Sequence, residues 1–153
     1  MKRNMKQWVA ETIANPVKKG VPVLSFPAVQ LMDITVRDLI SSSDLQAKGM
    51  KMVADKVPSG ASVSLMDLSV EAECFGSTIR VTDDEVPTVI GAVVSDEDAA
   101  DALVVPEVGV GRTGLYIEAI AKASEMITDR PVLAGVIGPF SLAARLLDVT
   151  EIM

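Results

Sequence analysis

The chain has 153 residues, 49% hydrophobic and 23% charged, enough for one domain with a packed core and too apolar to stay disordered. Fourteen basic against 21 acidic residues leave a net charge of −7, which excludes a general polyanion binder because no Lys/Arg excess exists to displace counterions from a phosphate backbone. Histidine is absent, Cys74 is the only cysteine and aromatics are 3%, so His-based triads, Cys/His zinc sites, internal disulfides and base-stacking platforms are excluded together.

Residues 1–20 are expected to form an N-terminal helix and turn. Met5, Trp8, Val9, Thr12 and Ile13 recur at helical spacing, and Asn15-Pro16 stops the pattern. The segment is basic, yet no signal-peptide apolar core follows it. No apolar run elsewhere reaches the ~18 residues of a membrane span, so a cytoplasmic protein without membrane or nucleic-acid partners is expected. Residues 21–153 are read as one partial β/α domain. Val21 to Phe26 is predicted as a buried strand closed by Pro27. A helix follows Ser41-Ser42-Ser43, with Ser43 and Gln46 as a capping box and Leu45, Met52, Val53 and Val57 as its apolar stripe.

Val63 to Met66 is predicted as a short strand that delivers Asp67 at its C-terminal end. A brief helix from about Ser69 to Phe75 follows, closed by Gly76 in a left-handed conformation. Thr78 to Val81 reads as a hairpin arm. Ser95 and Asp98 are expected to start a helix whose first-turn acids suit the positive end of its dipole. Val104 to Gly114 is a glycine-bearing loop, and Tyr116, Ile120, Ala123 and Ile127 mark one face of a long helix. Pro131 to Ile137 is a strand, Gly138-Pro139 a turn, and Ser141 to Leu147 begins a last helix. Strand alternates with helix, which predicts a parallel α/β arrangement with about three parallel strands. A closed (β/α)8 barrel takes at least ~200 residues, so the fold class expected is α/β, a partial barrel.

Gly109-Val110-Gly111-Arg112-Thr113-Gly114 matches GxGxxG, but Pro106 and Glu107 interrupt the approach and no acid ends the next strand. A loop leading into a helix is the better reading, with a phosphate site beside Arg112 as the alternative. Asp67 is the candidate catalytic residue, because reactive groups of α/β barrels project from C-terminal strand ends; a helix-capping or turn aspartate is the commoner fate of such residues. Glu71 and Glu73 point to different faces of a short helix, which does not support a paired-carboxylate site. Acidic neighbours work against a reactive Cys74 thiol, so it is read as core packing.

Two blocks carry a family resemblance. Met66-Asp67-Leu68-Ser69-Val70-Glu71-Ala72-Glu73-Cys74-Phe75-Gly76 resembles the strand–Asp–helix–Gly block of the uroporphyrinogen decarboxylase superfamily. Arg130-Pro131-Val132-Leu133-Ala134-Gly135-Val136-Ile137-Gly138-Pro139-Phe140-Ser141-Leu142-Ala143 resembles its later P-x-x-G-x-x-G-P-F-[ST]-L-A block. The resemblance covers roughly Pro16 to Met153 and matches the N-terminal half of a full-length member, a TIM barrel. It implies Asp67 as the catalytic residue, and it places Gly138, Pro139, Phe140, Ser141 and Arg145 as substrate-binding candidates.

One branch of that superfamily decarboxylates the acetate arms of uroporphyrinogen III, in porphyrin biosynthesis, as a cofactor-independent lyase. The other moves a methyl group from a methylated corrinoid protein to a thiol activated by zinc. Where the decarboxylases carry an arginine motif, this chain reads Phe26-Pro27-Ala28-Val29-Gln30-Leu31. Their tyrosine after the second block is missing, with Arg145 near its place. The block forms look more like the methyltransferase branch, whose His-x-Cys and Cys zinc ligands lie in a C-terminal half. The resemblance therefore implies zinc and a corrinoid protein for a full-length relative, with no cofactor and no metal ligand within this chain, which reads as truncated or split. The expected partners are a corrinoid protein or a tetrapyrrole-like substrate, together with self-association or a C-terminal half-barrel. A non-catalytic binding or assembly subunit is the third reading. An apolar strand Pro131–Ile137 and partly bare Leu142, Leu146 and Leu147 are the expected open edge.

Overall fold

Two short parallel strands, β1 (Ser62–Val63) and β4 (Val132–Leu133), form the centre of the fold, with Ser62 opposite Val132 and Val63 opposite Leu133. The computed structural model describes residues 3–147; positions 1–2 and 148–153, at the ends of the predicted segments 1–20 and 21–153, lie outside them. Before β1 come α1 (Met5–Ala14), α2 (Ala28–Met32), α3 (Val36–Ile40) and α4 (Ser43–Lys56). Between β1 and β4 lie α5 (Val70–Cys74), β2 (Thr78–Arg80), β3 (Thr88–Ile90), α6 (Glu97–Asp101) and α7 (Arg112–Met126), and α8 (Pro139–Leu146) follows. The hairpin arm is real: β2 pairs with β3 antiparallel.

The crossover between the parallel strands is fixed by packing of α4 against α7. Ala47, Met50 and Ala54 meet Ala123 and Ile127, and Val132 closes the cluster from the sheet side. Small residues on both helices permit the close approach. Outside this seam, Lys122 ties the helices by donating to Asp44 Oδ1 at 2.6 Å and to Ser43 Oγ at 3.0 Å. A second cluster joins Val36, Leu39 and Ile40 of α3 to Leu65, two residues before Asp67. Gly49 of α4 lets α2 approach closely: an added Cβ would stand 2.7 Å from the Ala28 Cβ of α2. Gly49→Ala therefore sets ~1 kcal/mol of recovered helix propensity against ~1–3 kcal/mol of overpacking. A net loss of stability in urea unfolding is expected, and a gain would show that α2 yields freely.

Several expectations are corrected. Val21 to Phe26 is not a buried strand: Val21 and Val23 are exposed, and only Ser25 is buried, donating to the Ser64 carbonyl at 2.8 Å. The segment still lies beside β1, since Gly60 N–H donates to the Gly20 carbonyl at 2.9 Å. Pro131 to Ile137 contributes only two strand residues because the ladder partner is equally short. Helices α2 and α3 were not predicted, although Thr35 and Asp38 form a reciprocal capping box at the start of α3. Ser42, not Ser43, caps α4, and the buried stripe uses Met50 where Met52 was expected. Asp96 replaces Ser95 as the cap of α6, and Pro139 occupies the first turn of α8 rather than a turn before it. Leu146 is buried, while Leu142 and Leu147 are half-buried. They pack with Ala72, Val94, Phe75 and Val89, so the hairpin and α6 region supply the cover expected from a further β/α unit.

Candidate functional site

A cleft of about 440 Å3 opens where β1 and β4 end. Its walls come from Leu65 to Leu68 after β1, from Val70, Glu71, Cys74 and Phe75 of α5, from the loop 105–109 and from Ala134 to Ile137 after β4. Thr113, Tyr116, Ile117 and Ile120 of α7 complete it. The parallel register places both strand ends on one rim, which brings Asp67 and the segment after Leu133 together. Ile137 N–H donates to Glu71 Oε1 at 3.1 Å and fixes that rim.

Asp67 reaches the cleft wall, but its carboxylate is buried: its side chain has 0% exposure. Oδ1 accepts from Ser69 N–H at 2.9 Å and from Ser69 Oγ at 2.6 Å, a local turn that begins α5. Oδ2 accepts from Arg112 at 2.6 Å and from the Tyr116 hydroxyl at 2.8 Å. A carboxylate offers about four acceptor sites, and four donors fill them. Arg112 also donates to Ser69 Oγ at 2.9 Å and to Glu73 Oε2 at 2.5 Å. Glu71 and Glu73 thus serve different partners, one on the β4 side and one on the α7 side.

Burial works against the charge of Arg112, but the Asp67 charge and the hydrogen bonds to Glu73 and Asp67 outweigh it and raise its pKa. Burial, followed by the Asp67 charge and hydrogen bond, pushes the Tyr116 phenol far above its ordinary 10.0. Because the folded-state value is the raised one, the contribution of Tyr116 to stability is complete below pH ~10 and is lost as pH rises beyond it. Tyr116 is the only tyrosine, so alkaline absorbance titration reads it alone. No phenolate signal is expected near pH 10 while the chain stays folded, and ordinary titration there would disprove the buried contact.

Neither Arg112 nor Tyr116 was assigned to Asp67 from sequence. The available signal was their spacing, one helical turn apart at the start of α7, which puts both on one helix face. The GxGxxG segment is a loop entering a helix. Gly109 and Gly111 have φ of +87° and +57°, and an added Cβ on Gly114 would meet the Gly109 carbonyl at 2.6 Å. Arg112 turns instead to Asp67, Glu73 and Ser69. Cys74 is half-buried on the cleft wall, not packed in the core, and its thiol donates to the Val110 carbonyl at 3.1 Å. Gly138, Pro139, Phe140 and Ser141 lie just beyond the wall at the start of α8, with Phe140 exposed, and Arg145 is half-buried in its last turn.

The donor set does not fit the zinc that the resemblance implies. Zinc sites use thiolate, imidazole and carboxylate ligands in groups of three or four. Among the described residues no three such side chains are placed to share an ion. No helix of these residues is long and apolar enough to cross a membrane.

The family model for uroporphyrinogen decarboxylase (URO-D) matches residues 20–153. The chain belongs to the uroporphyrinogen decarboxylase family. The methylcobamide:CoM methyltransferase MtbA of Methanosarcina acetivorans is 39% identical over 79 residues, which is 50% of this chain and 23% of that protein. A methyltransferase structure from Methanosarcina mazei shares the fold at a TM-score of 0.77 and 23% identity, covering 98% of this chain and 47% of that one. This family member thus spans less than half the length of the relatives it matches.

Proposed function

We propose that this chain is the N-terminal portion of a methyltransferase, a partial (β/α)8 barrel that takes part in moving a methyl group from a methylated corrinoid protein to a thiol. The observation that carries this reading is the 39% identical stretch shared with a protein named methylcobamide:CoM methyltransferase. The cleft chemistry supports it over the decarboxylase alternative. A porphyrinogen with eight carboxylates needs arginines as bidentate anchors. The described wall of the cleft holds no Lys or Arg side chain, only the carboxyl groups of Asp67, Glu71 and Glu107.

In this reading Asp67 is a positioning residue. With its acceptor sites filled, it orients the Tyr116 ring in the wall and holds the first turn of α7 through Arg112. The apolar surface of Met66, Phe75, Ile117 and Ile120 excludes water from whatever enters. Gly138 to Ser141 and Arg145 stand as rim residues for a bound partner.

The test combines the purified chain with the remaining portion of a related methyltransferase, methylcobalamin and coenzyme M. Loss of the methyl–cobalt absorbance is expected only when both polypeptides are present. Decarboxylation of uroporphyrinogen by the same mixture, without methyl transfer, would reject the reading.

A further inference from the structure

The three carboxyl groups on the cleft wall differ in what they can still accept. Asp67 has its acceptor sites filled by Ser69, Arg112 and Tyr116. Glu107 is exposed on the loop 105–109. Glu71 is half-buried on α5, and the Ile137 N–H holds its Oε1 at 3.1 Å. Among the described residues no donor reaches its Oε2. The Arg112 guanidinium is held by Asp67 and Glu73, and the described wall carries no other cation that could pair with Glu71. A carboxylate drawn partly out of water against apolar side chains is unfavourable until a donor or an opposite charge meets it. Met66, Ile120 and Ile137 are such side chains, and Phe75 and Tyr116 add two aromatic rings to the same wall.

We propose that the cleft is a binding site for an organic cation, an ammonium group on an apolar body, with Glu71 Oε2 as its anchor. The ammonium supplies both the hydrogen bond and the charge that Glu71 lacks, and charge-assisted bonds of this kind are stronger than neutral ones. Aromatic rings attract a cation as well as packing against its apolar body. A neutral ligand leaves the Glu71 charge unpaired, and an anionic one is repelled by Glu71 and Glu107 together. The bond from Ile137 orients the carboxylate in advance, so little freedom is lost when a ligand enters. About 440 Å3 falls within the ~300–1,000 Å3 of clefts that hold small organic molecules. The assignment goes beyond methyl transfer and stands on the cleft walls, so its test contains neither corrinoid nor thiol.

Calorimetric titration of the full chain with benzylammonium, benzyl alcohol and benzoate compares three charges on one apolar body. Benzylammonium is expected to bind about tenfold or more tighter than benzyl alcohol, and benzoate weakest. Glu71→Gln keeps an oxygen for the Ile137 N–H but removes the charge. It should abolish the preference for the cation while leaving benzyl alcohol binding and the circular dichroism of the chain unchanged. Glu107→Gln, at an exposed position, should reduce the preference by less, about two- to threefold. If Glu71→Gln does not fold, the ranking of the three compounds by the parent chain and its reduction by Glu107→Gln decide. Equal affinity for the three compounds, no binding of benzylammonium, or a preference that survives Glu71→Gln would overturn the inference. Selective cation binding by a chain that fails the methyl-transfer test leaves this site standing and rejects only the methyltransferase reading.

Discussion

Arg112→Met is expected to destabilise the chain by ~3–5 kcal/mol, because it strands the Asp67 carboxylate in the wall without its counter-charge. Arg112 is only 14% exposed and Asp67 not at all, so water cannot take over the lost contact. Ser69 and Tyr116 continue to donate, but they carry no positive charge. Asp67→Asn is expected to cost less, since it removes the charge and leaves Arg112 paired with Glu73. It should still exceed the ~1 kcal/mol of a capping aspartate, because the amide replaces an acceptor facing Arg112 or Tyr116 with a donor. The double variant should recover part of the Arg112→Met loss, since both members of the pair are then neutral. Urea unfolding of the three variants at neutral pH measures all of this. An Arg112→Met midpoint equal to that of the parent chain would mean that the network is not formed in solution.

Leu39→Ala comes next in size, at ~2–5 kcal/mol. Leu39 is 1% exposed and packs with Val36, Ile40 and Leu65. The loss is structural in origin but reaches the site, because Leu65 is held by α3 and Asp67 follows it by two residues. Loosened packing there should also release Tyr116, which touches the same cluster. Near-ultraviolet circular dichroism of Tyr116 alongside thermal unfolding separates the two effects. An unchanged melting temperature would show that α3 is peripheral to the cleft.

Helices with a strong apolar period were legible. The face predicted from Tyr116, Ile120, Ala123 and Ile127 belongs to α7, and the Ser69–Phe75 helix with Gly76 at φ +99° is α5. Such elements are specified locally, by capping, period and glycine freedom. The strands were overestimated. Pro131–Ile137 and Val21–Phe26 read as apolar runs, but a run becomes a strand only where a neighbour supplies ladder bonds, and β4 finds two residues of partner in β1. The five-residue helices α2 and α3 carry too little periodicity to stand out, and packing against α4 and Leu65 decides them.

The site divides along the same line. Asp67 after an apolar run and the family blocks around it were legible in the sequence, because such a run is a local property. The strand itself is Ser62–Val63 rather than Val63–Met66, so Asp67 stands four residues beyond its end. Its environment was decided by tertiary structure. Arg112 and Tyr116 are 45 and 49 residues away, and only the packing of α7 across the β1 end carries them to one carboxylate. Nothing local distinguishes a solvated aspartate from a buried one with every acceptor site filled. That difference is set by which donors the folded chain brings within 3 Å, and by the water that their approach removes.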